Sequence, residues 1–220
     1  MSPRIFAALC SALLDTLYMV GVSSLLAFAF GVPLGVVMLV SGKGHILENR
    51  IVNRILGTIV NAARSTPFII LMVLLIPVTR LLAGTTIGSS AAIVPLAIAA
   101  TPFVGRVVEG ALREVDPGVI EAAQAMGATP WQIIRKVLLP EALPALVSVL
   151  TLSVINLIGY SAMAGAIGGG GLGDLAIRYG YQRFRIDVMI VTVVVLIALV
   201  NICQSAGDAI ARSIRRGRRA

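Results

Sequence analysis

Cysteine, histidine, tryptophan and charge are all scarce in this chain. In 220 residues there are two cysteines, one histidine and one tryptophan, and 13% of the residues are charged. Cys10 and Cys203 cannot make a disulfide framework, and with only His45 beside them no spaced Cys/His motif exists to hold a metal. No Gly-x4-Gly-Lys-Ser/Thr stretch is present to cradle nucleotide phosphates. Charge stands at about half of the ~25% usual in a soluble domain. Apolar residues take its place, at 58% of the chain with a mean hydropathy of +0.97. A single soluble core of this size cannot hide that much apolar surface. What remains is an all-α integral membrane protein, because a helix satisfies its own backbone in lipid. The 22 glycines and 10 prolines predict close helix packing and defined interruptions.

Gaps between charged residues place five spans, at about 13–40, 56–78, 90–110, 142–166 and 187–208. They form one transmembrane domain over 12–210, followed by a basic tail at 211–220. Cys10 follows Leu9, whereas a lipoprotein cleavage site needs a small residue there, so the N-terminus is expected to be retained. An odd number of spans puts the termini on opposite sides. With the C-terminus inside, the inner segments hold Lys43, Arg50, Arg54, Arg106, Arg113, Arg135, Lys136, Arg212, Arg215, Arg216, Arg218 and Arg219. The outer segments hold Arg4, Arg80, Arg178, Arg183 and Arg185. That asymmetry predicts an outside N-terminus and a cytoplasmic C-terminus. The net charge of +8 is then read as cytoplasmic loops and a lipid-surface anchor, with no nucleic-acid partner.

The loop at 111–141 is the informative one. Asp116-Pro117 is a helix start, a capping carboxylate followed by proline at the first helical position. Gly127 is a stop, Thr129-Pro130 repeats the start, and a second short helix from Trp131 to Leu139 is expected to end at Pro140. In the first helix Ala123 and Gly127 share a face, and Ala122 and Met126 form the next stripe. Glu121 adds one fixed negative charge. Such small residues either admit a partner's backbone or pack the loop under the bundle.

In the fourth span Asn156, Gly159, Tyr160, Ser161 and Met163 are weakly polar or small, with no ionised group among them. They serve either as packing glue between helices or as the lining of a path. Gly168 to Gly173 reads as a flexible, hinge-like turn on the outside, leading to an outer helix from Leu172 to Tyr179. Arg64 is read as snorkelling from a span start to the headgroups.

Glu121-Ala122-Ala123, Gly127 four residues on and the run to Leu139-Pro140 resemble the EAA loop of ABC-importer permeases. Arg64-Ser65-Thr66-Pro67-Phe68, Met126-Gly127-Ala128-Thr129-Pro130, Arg135 to Pro144 and Gly159-Tyr160-Ser161-Ala162-Met163 extend the likeness over nearly the whole chain, towards the permeases of bacterial methionine importers. The resemblance implies a type I importer permease that pairs with a second copy of itself. It also implies two ATP-binding cassette subunits on the cytoplasmic side and a periplasmic or lipid-anchored methionine-binding protein. ATP would be bound by the partner, and this chain would catalyse nothing. Glu121, Ala122, Ala123 and Gly127 would form the surface coupled to the ATPase, and Tyr160, Ser161 and Met163 would line or gate the path in a bacterial cytoplasmic membrane. The open alternatives are another amino acid or small solute as cargo, or a secondary transporter that works without an ATPase.

Overall fold

The structure, a computed structural model, describes residues 3–217. Arg218 and Arg219 of the basic tail lie outside the described residues, as does the side chain of Arg4. Helix α1 (Pro3–Val40) crosses the whole bundle and continues ten residues before the expected start. It packs lengthwise on α5 (Ser89–Arg113). The two backbones approach closely where a Cβ on Gly35 would sit 2.6 Å from the Gly105 carbonyl oxygen, so small residues let these helices interlock. Between them lie α2 (Arg50–Ser65), α3 (Phe68–Leu74) and α4 (Ile76–Ala83). After α5 come α6 (Pro117–Ala125), α7 (Pro130–Ile133) and α8 (Leu139–Ala164), then α9 (Gly171–Leu175) and α10 (Ile186–Gly217). Met19, Leu96, Val104, Val108, Leu138 and Leu157 are among the side chains that fill the core between α1, α5 and α8.

Among the described residues four helical stretches are long and apolar enough to cross a membrane, and a bent pair makes a fifth. That pair corrects the expected continuous span at 56–78. Asn49 starts α2 by accepting the Ile51 and Val52 amides on its side chain. Thr66 is then extended (φ −82°, ψ 124°) because Pro67 excludes the helical region for the residue before it. The chain turns by 103° between α2 and α3.

Pro140 does not end a helix either. A π-helical turn, Ile134–Leu138, joins α7 to α8, and helix runs on from Pro130 to Ala164. The wider turn absorbs the missing amide of Pro140, as local π adjustments do in membrane helices.

The glycine-rich run at 168–173 is packed tightly, which corrects its reading as a flexible turn. The Leu172 amide donates to Thr16 Oγ1 at 2.9 Å, and the Gly88 amide donates to the Gly168 carbonyl at 2.9 Å. Leu172 is fully buried. The run thus ties α1, α5 and α8 together at one end of the bundle. The other end holds the loop at 41–49, α6 and the last turns of α10.

Candidate coupling segment and translocation path

Each end of α6 is fixed by local chemistry. Asp116 Oδ1 accepts the Gly118 amide at 2.8 Å, and Pro117 fills the first helical position, where no amide partner is needed. At the far end the Gly127 amide donates to the Gln124 carbonyl and the Ala128 amide to the Ala123 carbonyl, at 2.9 and 3.1 Å. This pair of bonds needs a left-handed residue, and Gly127 supplies it at φ +79°. Thr129 then caps α7 reciprocally: its hydroxyl accepts the Gln132 amide, and its own amide donates to Gln132 Oε1 at 2.9 Å. The result is a stiff elbow between two capped helices.

Because a Cβ on Gly127 would meet nothing within 4 Å, only the backbone resists substitution there. Gly127→Ala is expected to cost ~1 kcal/mol locally, about a fivefold rise in opening of the elbow. Hydrogen exchange at the Ala128 amide reads this, and Gly127→Asn should cost less because asparagine tolerates the left-handed region.

Glu121, Ala122 and Gly127 are exposed. Ala123 is not: at 4% exposure it is a packing residue, which corrects its place in a partner-facing surface. Helix α6 packs against the π-helical turn, so the outward stripe is the neighbouring one. Met126 is 82% exposed and Trp131 68%. Trp131 was not singled out from the sequence, and Met126 was marked only as the neighbour of Ala122 in a stripe. The spacing of Ala122 and Met126 was the signal, because it defined the stripe that the packing leaves free.

The base of α6 is rigid. Glu109, almost fully buried in α5, is held by Arg106 at 2.8 Å and Arg113 at 2.6 Å. A buried carboxylate needs such partners, and here they lock the turns from which the loop departs. Behind α6 lies a cleft of about 330 Å³ between Ile120, Gln124 and the loop residues His45 and Ile46.

At the opposite half of α8, Gly159 and Met163 are exposed and Asn156 is half-buried, at spacings that put all three on one face. Ser161 points the other way. It is 1% exposed and its hydroxyl donates to the Ile158 carbonyl at 2.7 Å, so it packs inside the chain and does not line a path. The Tyr160 ring stacks on Phe68 of α3, with centroids 4.6 Å apart and planes at 3°. The same tyrosine borders a cleft of about 220 Å³ with Arg64, Thr66, Phe68, Leu71 and Phe103. Arg64 is exposed and its guanidinium lies 5.9 Å over the Phe103 ring.

The sequence model of the family described as "Binding-protein-dependent transport system inner membrane component" matches residues 31–216. Among curated proteins, the "Probable D-methionine transport system permease protein MetI" of Vibrio cholerae serotype O1 is 57% identical over 206 residues, covering 94% of this chain and 92% of that protein. The "D-methionine transport system permease protein MetI" of Escherichia coli K12 is 54% identical over 151 residues, covering 69% and 70%. Among solved structures, a chain of the MetNI methionine ABC transporter in an inward-facing conformation superposes with a TM-score of 0.96 at 50% identity, covering 97% of this chain and 99% of that one. An amino acid ABC transporter solved with histidines shares the fold, with a TM-score of 0.78 at 20% identity over 96% of this chain and 95% of that one.

Proposed function

Because the chain belongs to the family of binding-protein-dependent transport system inner membrane components, we propose that it is the permease half of an ATP-driven importer of D- and L-methionine. It is a multi-pass inner-membrane component and not an enzyme. The observation that carries this reading is the likeness to the MetNI permease over almost the entire length of both chains, at 50% identity. Two copies would meet across the Gly159–Met163 face of α8. Two ATPase subunits would grip the exposed stripe of α6, and a binding protein would deliver cargo at the opposite end. The basic residues that cluster around α6 and the end of α10 support a cytoplasmic position for that end, with the N-terminus outside.

The geometry supplies a lever. Helix α6 joins the clamped end of α5 to a helix that runs from Pro130 to Ala164. At 1.5 Å per residue, Met163 lies ~50 Å along that helix from Pro130. A push on α6 therefore reaches Tyr160 and Met163 through continuous helix, with little slack at the capped elbow. Tyr160 and Met163 would border the path, and Ser161 would hold the helix behind them.

Reconstitution with the ATPase and the binding protein tests this. Uptake of labelled D- and L-methionine should require all three components and ATP. Uptake driven by a proton gradient without the ATPase would overturn it.

A further inference from the structure

The 220 Å³ cleft at the α2–α3 bend has a chemistry that the lever does not use. Its lining residues Ala99 and Phe103 lie ten and fourteen residues after Ser89 in α5, or about 15–21 Å from that helix end. In a hydrocarbon layer of ~30 Å this is near mid-depth. Arg64 is exposed where it borders this cleft, and at such a depth a charge is costly and ordinarily serves a purpose. Among the described residues it makes none of the ion pairs. Its guanidinium lies over one aromatic ring, and two more rings, the stacked Phe68 and Tyr160, border the same space.

We propose that this cleft is a transient binding site for the transported amino acid, with the Arg64 guanidinium taking its carboxylate and the Phe68, Phe103 and Tyr160 rings taking a flexible apolar side chain. The proposal rests on the importer reading and deepens it. An arginine fork matches a carboxylate in two parallel hydrogen bonds. A thioether makes favourable contacts with aromatic rings and bends to fit an irregular gap. The cleft is smaller than the ~300–1,000 Å³ of sites for larger ligands, which suits a solute of a few heavy atoms. No carboxylate borders it, so the cargo's ammonium has only ring faces and the hydroxyls of Thr66 and Tyr160 to meet. One charged anchor in place of two makes the site weak, as passage requires: a solute held by both charges would stay.

Thiol protection reads the site directly. In the complete transporter, with Cys10 and Cys203 of the permease replaced by serine, Ala99→Cys places a single permease thiol in the lining. L-Methionine should slow maleimide labelling of the permease in a saturable way, and methioninol, which lacks the carboxylate, should not. Adding Arg64→Gln should raise the concentration for half-protection by roughly tenfold or more, with Arg64→Lys between the two, since lysine keeps the charge without the fork. Labelling that is unprotected by methionine, or protected equally with Arg64→Gln, overturns the site. Equal protection by methioninol overturns the role of Arg64. Should Arg64→Gln fail to assemble, Phe103→Leu serves in its place: it keeps the cation and should weaken protection by methionine more than by glycine. Equal weakening would contradict the aromatic contact. The parent reading fails separately, if the unmodified complete transporter takes up no methionine.

Discussion

Gly173→Ala is expected to abolish the folded permease. A Cβ at this position would clash with the Ala162 carbonyl oxygen and sit 2.6 Å from the Ala162 Cα, so two backbones and not flexible side chains must separate. From the other side, a Cβ on Gly165 would sit 2.7 Å from the Gly170 carbonyl oxygen. The C-terminal end of α8 and the short α9 are thus seated directly on each other. Overpacking costs about 1–3 kcal/mol where side chains can adjust, and more where they cannot. Here the seat also holds the Leu172 amide against Thr16 of α1, so separation breaks a buried hydrogen bond between distant segments. Gly21→Ala is the control. That glycine is exposed on α1 and its Cβ would meet nothing within 4 Å, so alanine should be neutral or slightly stabilising. The yield of monodisperse protein in detergent, measured for both variants, separates a packing requirement from a general intolerance of substitution.

Met126→Asp is expected to leave the permease folded and to stop transport. The side chain is 82% exposed, so the chain's own packing has little to lose. In contact with an ATPase, a carboxylate there would be desolvated without a partner. Losses at a central contact residue run to about 2–4 kcal/mol, or well over tenfold in complex stability. ATP-driven uptake should fall by at least that factor, with the permease still monodisperse, and Met126→Leu should restore most of it. Normal uptake by Met126→Asp would show that the outward stripe of α6 is not where force enters.

Local signals in the sequence led to the right local structures. Asp116-Pro117 starts a helix, Gly127 stops it, and Thr129-Pro130 starts the next, because caps depend only on neighbouring residues. The five apolar segments were likewise legible, since lipid demands length and hydropathy from each one separately. What the sequence concealed was tertiary. Periodicity put Ala123 with Gly127 and Ala122 with Met126, yet only the packing of α6 decided that the second stripe faces outward. Ser161 is polar within an apolar span, which fits either a path or a self-satisfied core hydroxyl. Its bond to the Ile158 carbonyl makes it the latter. Glycine is ambiguous in the same way. It frees a backbone in isolation and permits close approach in a bundle, and at Gly173 the approach decides. Proline has two outcomes as well. Pro67 bends the chain by holding Thr66 extended, while Pro140 is carried through by the π-helical turn before it.

Site-directed crosslinking of α6 is the most direct test of the coupling mechanism. In a permease whose Cys10 and Cys203 are serine, Met126→Cys should react with an impermeant maleimide in inside-out vesicles and stay unlabelled in right-side-out cells. In the complete transporter it should crosslink to the ATPase subunit with short reagents, and the yield should change when ATP binds. Labelling from the outer face, or protection by lipid from both faces, would contradict a cytoplasmic coupling helix.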